Sequence, residues 1–335
     1  MDPAAAGAAH VVDDAVPTAA GDADPAADGR APFNHRALEL EEAGPDTYLS
    51  VDLWRPRGNR GVFGGQVVGQ ALAAAGRTVG AEYRCNSLHC YFLSAGAGSE
   101  MIAYEVRRLR QGASYCTRLV LAKQRGRVIF IATASFQRPE AAAMGHQYAM
   151  PAVPGPEALA ASEERTGPRR RAPRAGPGEA DEYSALPVEM RAVPTPAGHA
   201  GLPARAVWMR AKGDMGALGH AQHQCMLAYA SDFALLGTAA RPYRAHSPGS
   251  PYTLSMIVSL DHAIWFHAPF RADEWLLYVM ESPRLAAGRG LVHGRIYARD
   301  GTLVASTAQE GVIRGSGPAR PDLLFAHSLG PAPRL

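Results

Sequence analysis

Cysteine is scarce in this 335-residue chain. Its four cysteines, Cys85, Cys90, Cys116 and Cys225, form no CxxC pair. Their apolar neighbours read as packed, reduced thiols of an intracellular protein, not as a disulfide framework. Long apolar runs are missing as well. A membrane span needs about 18–20 predominantly apolar residues. The best candidate, VFGGQVVGQALAAAG, is short and carries two glutamines. A net charge of +3 leaves no excess for nucleic acid, and no segment interleaves basic with aromatic residues. The first 32 residues are acidic where a secretory or mitochondrial presequence would be basic, and they read as a disordered Ala/Pro-rich tail.

What is present is a composition of 47% hydrophobic and 19% charged residues, which suits a soluble globular protein long enough for two domains. Two dense regions, 33–138 and 204–316, flank a segment over 139–203 rich in Pro, Ala, Gly and Arg. That segment, with Arg169-Arg170-Arg171, reads as a solvated linker without a packed core. Residues 317–335 read as a second tail.

The first dense region runs TYLSVDLW as a strand, GGQVVGQALAAAGRTV as a helix, then NSLHCYFL, MIAYEVRRLRQG, YCTRLVLAKQRG and RVIFIATASFQ as strands between turns. The second repeats the order. RAVWMRAKG is a strand and HAQHQCMLAYASDFALLG a helix, followed by SMIVSLDHAIWFH, EWLLYVMES, GLVHGRIYARDG and TLVASTAQEGVIR. QRGRVIFIATASF lies over RDGTLVASTAQEG with Gly126 and Gly301 in register. One long helix per copy, wrapped by a curved antiparallel sheet, predicts an α+β double hotdog.

Within the second helix, LAYASDFALL contains one charge, Asp232. At 3.6 residues per turn its neighbours are Ala228, Tyr229, Leu235 and Leu236, so the segment predicts a helix buried all round. An unpaired buried carboxylate costs several kcal/mol, and its retention asks for a purpose. Period two places Ile257, Ser259, Asp261, Ala263 and Trp265 on one strand face, and Leu303, Ala305, Thr307 and Gln309 on another. Asp261 competes with Asp232 as the acid of interest. Tyr229, Phe233, Trp265 and Phe266 read as core residues, and His262 and His267 lack the spacing of a metal set.

Seven segments, VFGGQVVGQAL, SLHCYFLSAG, ATASFQ, ASDFALLGTA, VSLDHAIWFHAPFRADEWLLY, GRGLVHG and AQEGVIR, resemble in order the type II acyl-CoA thioesterases, and among them the peroxisomal ones. The resemblance spans roughly 50–140 and 205–315. It implies hydrolysis of fatty acyl-CoA to free fatty acid and CoA, without metal or organic cofactor. It also implies a catalytic Asp on the second helix, a hydroxyl on the next strand and a Gln on the last. These fall on Asp232, Ser259 and Gln309. Such a set suits direct attack by water, the carboxylate taking a proton while neutral groups orient the nucleophile. Gly64 and Gly65 at a helix start would let a thioester approach backbone N–H donors, or simply pack helix on sheet. His89 would line the site or sit in the core. The linker departs from the family pattern.

Two other functions fit the same fold. Double-hotdog enoyl-CoA hydratases carry a His five residues after the Asp, where this chain has Gly237. A non-catalytic acyl-CoA binder would need no buried base. Likeness to the family also implies a homo-oligomer. The ending Pro333-Arg334-Leu335 resembles a degenerate peroxisomal address, which would engage an import receptor and place the protein in the peroxisomal matrix; without it the location would be cytoplasmic.

Overall fold

Gly64–Gly76 forms helix α1 and His220–Ser231 forms helix α2. The two pack side by side and antiparallel, and glycines set their spacing. A Cβ on Gly69 would meet Cys225 O at 3.0 Å and Tyr229 Cβ at 3.2 Å, and one on Gly65 would overlap Tyr229 O. Two further motif residues explain themselves here. The Gln66 and Gln70 amides both donate to Ala37 O and Asp52 O, and their carbonyls accept from Trp54 N and the Tyr104 hydroxyl. They lace α1 to the segments running beside it. The computed structural model describes residues 33–56, 61–141, 143–159, 186–195, 201–243 and 251–318. The tail over 1–32, the Arg169–Arg171 run and Pro333-Arg334-Leu335 lie outside the described residues.

The helices are wrapped by one antiparallel sheet. Its first half comprises β1 (Leu40–Gly44), β2 (Thr47–Ser50), β3 (Arg84–Phe92), β4 (Ala103–Gln111), β5 (Tyr115–Gln124) and β6 (Arg127–Gln137). The second comprises β7 (Val188–Ala192), β8 (Ala204–Ala211), β9 (Thr253–Ser259), β10 (Asp261–Phe266), β11 (Leu276–Ala286), β12 (Arg289–Tyr297) and β13 (Leu303–Ser316). The order is β1-β2-β4-β5-β6-β3-β10-β13-β12-β11-β8-β7, with β9 also on β13. The halves mirror each other about the β3–β10 seam, where Asp261 faces Tyr91 and Trp265 faces Ser87. This is the double hotdog that the repeated pattern predicts. Alternation on β5 buries Cys116, Arg118, Val120, Ala122 and Gln124 toward α1. All four cysteines are free and buried.

Four expectations need correction. Strands β1 and β7 were not anticipated. The segment over 139–203 is exposed over its first described residues but carries packed pieces after them, against the expectation of no packed core. There Met150, Val153 and Leu159 pack on Trp208, Trp275, Leu277, Val279 and Tyr297, and Trp208 Nε1 donates to Pro154 O at 2.9 Å. The second helix stops at Ser231 instead of running to Gly237, because Ala234 takes a left-handed backbone with φ of 65°. The strand expected over 255–267 breaks at Leu260. Before it, β9 pairs with the end of β13; after it, β10 pairs with β3 and with the start of β13. Face parity therefore does not carry from Ser259 to Asp261.

Among the described residues no helix is long and apolar enough to cross a membrane. Burial holds His223, His262 and His267 below the usual histidine range, and holds His220, beside Arg84, at about 4. A base depressed in the folded state contributes stability that is present above its unfolded value of about 6.5 and is lost as pH falls toward the folded value. The Asp261 carboxyl, pushed up by burial, acts in the opposite sense, one group against four. The melting temperature should therefore fall as pH drops from about 7.5 to about 4.5, a window the histidines define. Differential scanning calorimetry would check this, and a flat or rising trend would contradict it.

Candidate active site

Asp232 is the residue at which α2 ends, with φ −78° and ψ −18°. It is half-buried, not sealed inside an apolar helix as its sequence neighbours suggest. An anion at that point sits at the negative end of its own helix dipole. The N-terminus of α1 lies opposite and supplies the compensation. Gly65 N–H donates to Asp232 Oδ2 at 2.8 Å. Gln309 Nε2, from the centre of β13, donates to Asp232 Oδ1 at 2.6 Å. The same Nε2 donates to Ser259 Oγ at 3.1 Å, at the last residue of β9.

Gln309 is fully buried, and one amide orientation is available to it. Turned over, its Oε1 would face the carboxylate, acceptor against acceptor. In the orientation it adopts, both Nε2 hydrogens are spent and Oε1 is buried without a partner. Ser259 Oγ accepts from Gln309, so its own hydrogen is free to donate. Each carboxylate oxygen likewise keeps a lone pair. The cluster thus offers a paired anion, a neutral amide and a free hydroxyl at one point between the two halves.

Other candidates fall elsewhere. Asp261 is occupied by the backbone, its Oδ1 accepting from Glu310 N–H at 2.7 Å. His89 is exposed on β3, edge-on to Trp265 with ring centroids 5.0 Å apart, and does not reach the cluster. Gly65 N–H was expected to face a thioester oxygen, but here it holds the carboxylate. Gly64 matters through the space it leaves, since a Cβ there would lie 2.9 Å from Asp232 Oδ2 and 3.1 Å from Phe92 Cε1. Sequence reasoning missed a half-buried aromatic wall beside α1. In it Phe63 stacks on Phe233 at 4.3 Å, and Trp54 meets Phe63 edge-on at 5.4 Å. Nothing in the local pattern joins Trp54 to Phe233, because only the helix pairing brings them together. Among the described residues no group of three His, Cys, Asp or Glu side chains is arranged to hold a metal ion.

Residues 51–137 match the family model of the acyl-CoA thioesterase N-terminal domain, and residues 156–313 match that of its C-terminal domain. The chain belongs to the acyl-CoA thioesterase family. It is 43% identical to acyl-coenzyme A thioesterase 8 of Rattus norvegicus, over 83% of this chain and 87% of that protein. Identity is 26% to a peroxisomal acyl-coenzyme A thioester hydrolase of Saccharomyces cerevisiae, over 84% of this chain and 94% of that protein. The crystal structure of an acyl-CoA thioesterase II from Mycobacterium marinum matches with a TM-score of 0.67 and 37% identity, covering 85% of this chain and 98% of that one. This thioesterase takes acyl-CoA as substrate and hydrolyses its thioester.

The two glycines should respond differently to a methyl group. Gly64→Ala presses on the carboxylate and on Phe92, so kcat should drop about tenfold to a hundredfold with folding retained. Gly65→Ala meets the backbone of α2, which cannot give way as a side chain can, and should cost about 1–3 kcal/mol of stability. Thiol-release kinetics alongside thermal melts would separate the two. Equal behaviour of the variants would contradict the packing described.

Proposed function

We propose that this thioesterase acts on fatty acyl-CoA through a water activated directly by Asp232. The supporting observation is the Gln309 amide, which holds the Asp232 carboxylate and the Ser259 hydroxyl together while Gly65 N–H fixes the other carboxylate oxygen. Water sits against the carboxylate and receives a hydrogen bond from, or is steered by, Ser259. As its oxygen attacks the thioester carbon, Asp232 takes one proton. The tetrahedral species collapses with loss of the C–S bond, and the proton passes from Asp232 to the departing CoA sulfur. Fatty acid and CoA leave, and the carboxylate is restored. The mechanism uses no acyl-enzyme: the Ser231–His262 contact beside the carboxylate is fully buried, and the Ser231 hydroxyl donates to Ala228 O at 2.9 Å, so it does not present a nucleophile to the thioester.

The aromatic wall of Trp54, Phe63 and Phe233 beside the carboxylate gives the apolar part of the acyl group a surface to lie on. Gly237 stands where a hydratase would have its histidine, which favours hydrolysis over addition of water to an enoyl group. A peroxisomal matrix location is supported by the likeness to the yeast peroxisomal enzyme. A homo-oligomer is supported by the exposed Tyr91, Leu93 and Val258 near the seam.

Asp232→Asn keeps the shape of the side chain and removes the base. Release of CoA thiol from palmitoyl-CoA should fall about a hundredfold to ten-thousandfold, while Gln309→Ala should lose less than that. An Asp232→Asn enzyme as fast as the wild type would remove Asp232 from the mechanism. Loss of enoyl absorbance on mixing with a trans-2-enoyl-CoA would return the hydratase reading.

A further inference from the structure

Ser231, the residue before Asp232, is fully buried and held from two sides. The Tyr278 hydroxyl donates to Ser231 O at 2.9 Å and is itself paired with Thr307 Oγ1 at 2.8 Å. Thr307 lies on β13 two residues before Gln309, so the strand that presents the amide also braces the end of α2. On the other side, Ser231 Oγ donates to Ala228 O at 2.9 Å and lies 2.9 Å from His262 Nε2. A serine hydroxyl has one hydrogen. Because Ala228 O takes it, Ser231 Oγ must accept from His262, and the imidazole carries its hydrogen on Nε2.

His262 is 1% exposed, and its Nδ1 is buried without a partner. An unsatisfied buried acceptor is destabilising, and an apolar side chain at the same place would avoid that cost. His262 stands on β10 at the seam, its backbone carbonyl accepting from the buried Cys90 thiol of β3 at 3.2 Å. Its backbone is therefore tied to the first half of the molecule, while its ring is tied to the end of α2.

We propose that His262 is a positioning residue: through its Nε2–H bond to Ser231 Oγ it fixes the end of α2, and with it the direction in which Asp232 presents its carboxylate. Its role rests on the reading of Asp232 as the base. The Tyr278–Thr307 pair secures the Ser231 carbonyl, and His262 secures the side chain, so the peptide leading into Asp232 cannot rotate. A carboxylate allowed to swing would lose the joint grip of Gly65 and Gln309, and misplacement of about 1 Å at a reacting group costs about a hundredfold in rate.

The test uses the full chain and palmitoyl-CoA, with five variants. His262→Leu should lower kcat about tenfold to a hundredfold and leave KM within about twofold, with a cooperative melt. His262→Gln, whose amide N–H reaches the same point as Nε2–H, should recover most of kcat. Ser231→Ala should match His262→Leu, and the double variant should be no slower than either alone. If His262→Leu fails to fold, Ser231→Ala carries the test: a lowered kcat at unchanged KM supports the proposal, and a wild-type kcat overturns it. His262→Gln as slow as His262→Leu would overturn it too. With Asp232→Asn measured alongside, an inactive Asp232→Asn beside a fully active His262→Leu sinks the positioning role alone. An active Asp232→Asn sinks the base assignment itself.

Discussion

A carboxylate at the wrong end of its own helix is the constraint on which this molecule turns. Asp232 terminates α2, where unpaired carbonyls already concentrate negative charge. Its own helix offers it no hydrogen-bond donor there; the donor comes from the positive end of α1, which the antiparallel pairing of the two helices brings against it. That pairing is possible because Gly65 and Gly69 carry no side chain where Tyr229 and Cys225 press in. The requirement for small residues on α1 and the requirement for a charge on α2 are thus one requirement seen from two sides.

The sheet supplies what the helices cannot. A helix end offers backbone N–H groups but no neutral acceptor or hydroxyl to orient water. Those come from β13 and β9, which meet at the break after Ser259. Had the strand run straight through Leu260, Asp261 and Ser259 would share a face and two carboxylates would crowd one site. The break lets Asp261 cap Glu310 N–H, which keeps its charge away from Asp232. A local irregularity in one strand therefore decides that the site holds one acid.

Periodicity reads well where a residue's surroundings lie within its own element. The alternation of β6 and β13 and the apolar, glycine-bearing face of α1 are visible in the sequence, and β6 spans Arg127–Gln137 as the pattern predicts. The trio Asp232, Ser259 and Gln309 was legible through family motifs, whereas composition alone leaves each of them an ordinary polar residue. The end of α2 was not legible, since alanine at 234 gives no warning of a left-handed backbone. Nor was the role of His262, because its meaning depends on a hydroxyl hydrogen already committed to Ala228. The folded parts of 139–203 were hidden by composition. Proline and arginine mask the few apolar residues that dock on Trp208 and Trp275.

Duplication makes two junctions between helix ends, yet among the described residues only one holds a carboxylate between an amide and a backbone N–H. Where α2 ends on Asp232, α1 ends on Arg77, a cation in place of the anion. Arg77 turns outward to Leu40 O and the ring of Tyr48, and Arg118 binds Thr78 just beyond it, so that end of α1 gathers positive charge suited to its dipole. In the register that aligns Gly126 with Gly301, the position of Gln309 is held in the first half by Ala134, and no amide is present to hold a carboxylate. At the N-terminus of α2, Gln224 spends its amide on the Cys85 backbone. The first half has traded its polar groups for closure of its own helix. Its contribution to the proposed site is the opposite end of α1, where Gly65 N–H donates to the carboxylate of its sister.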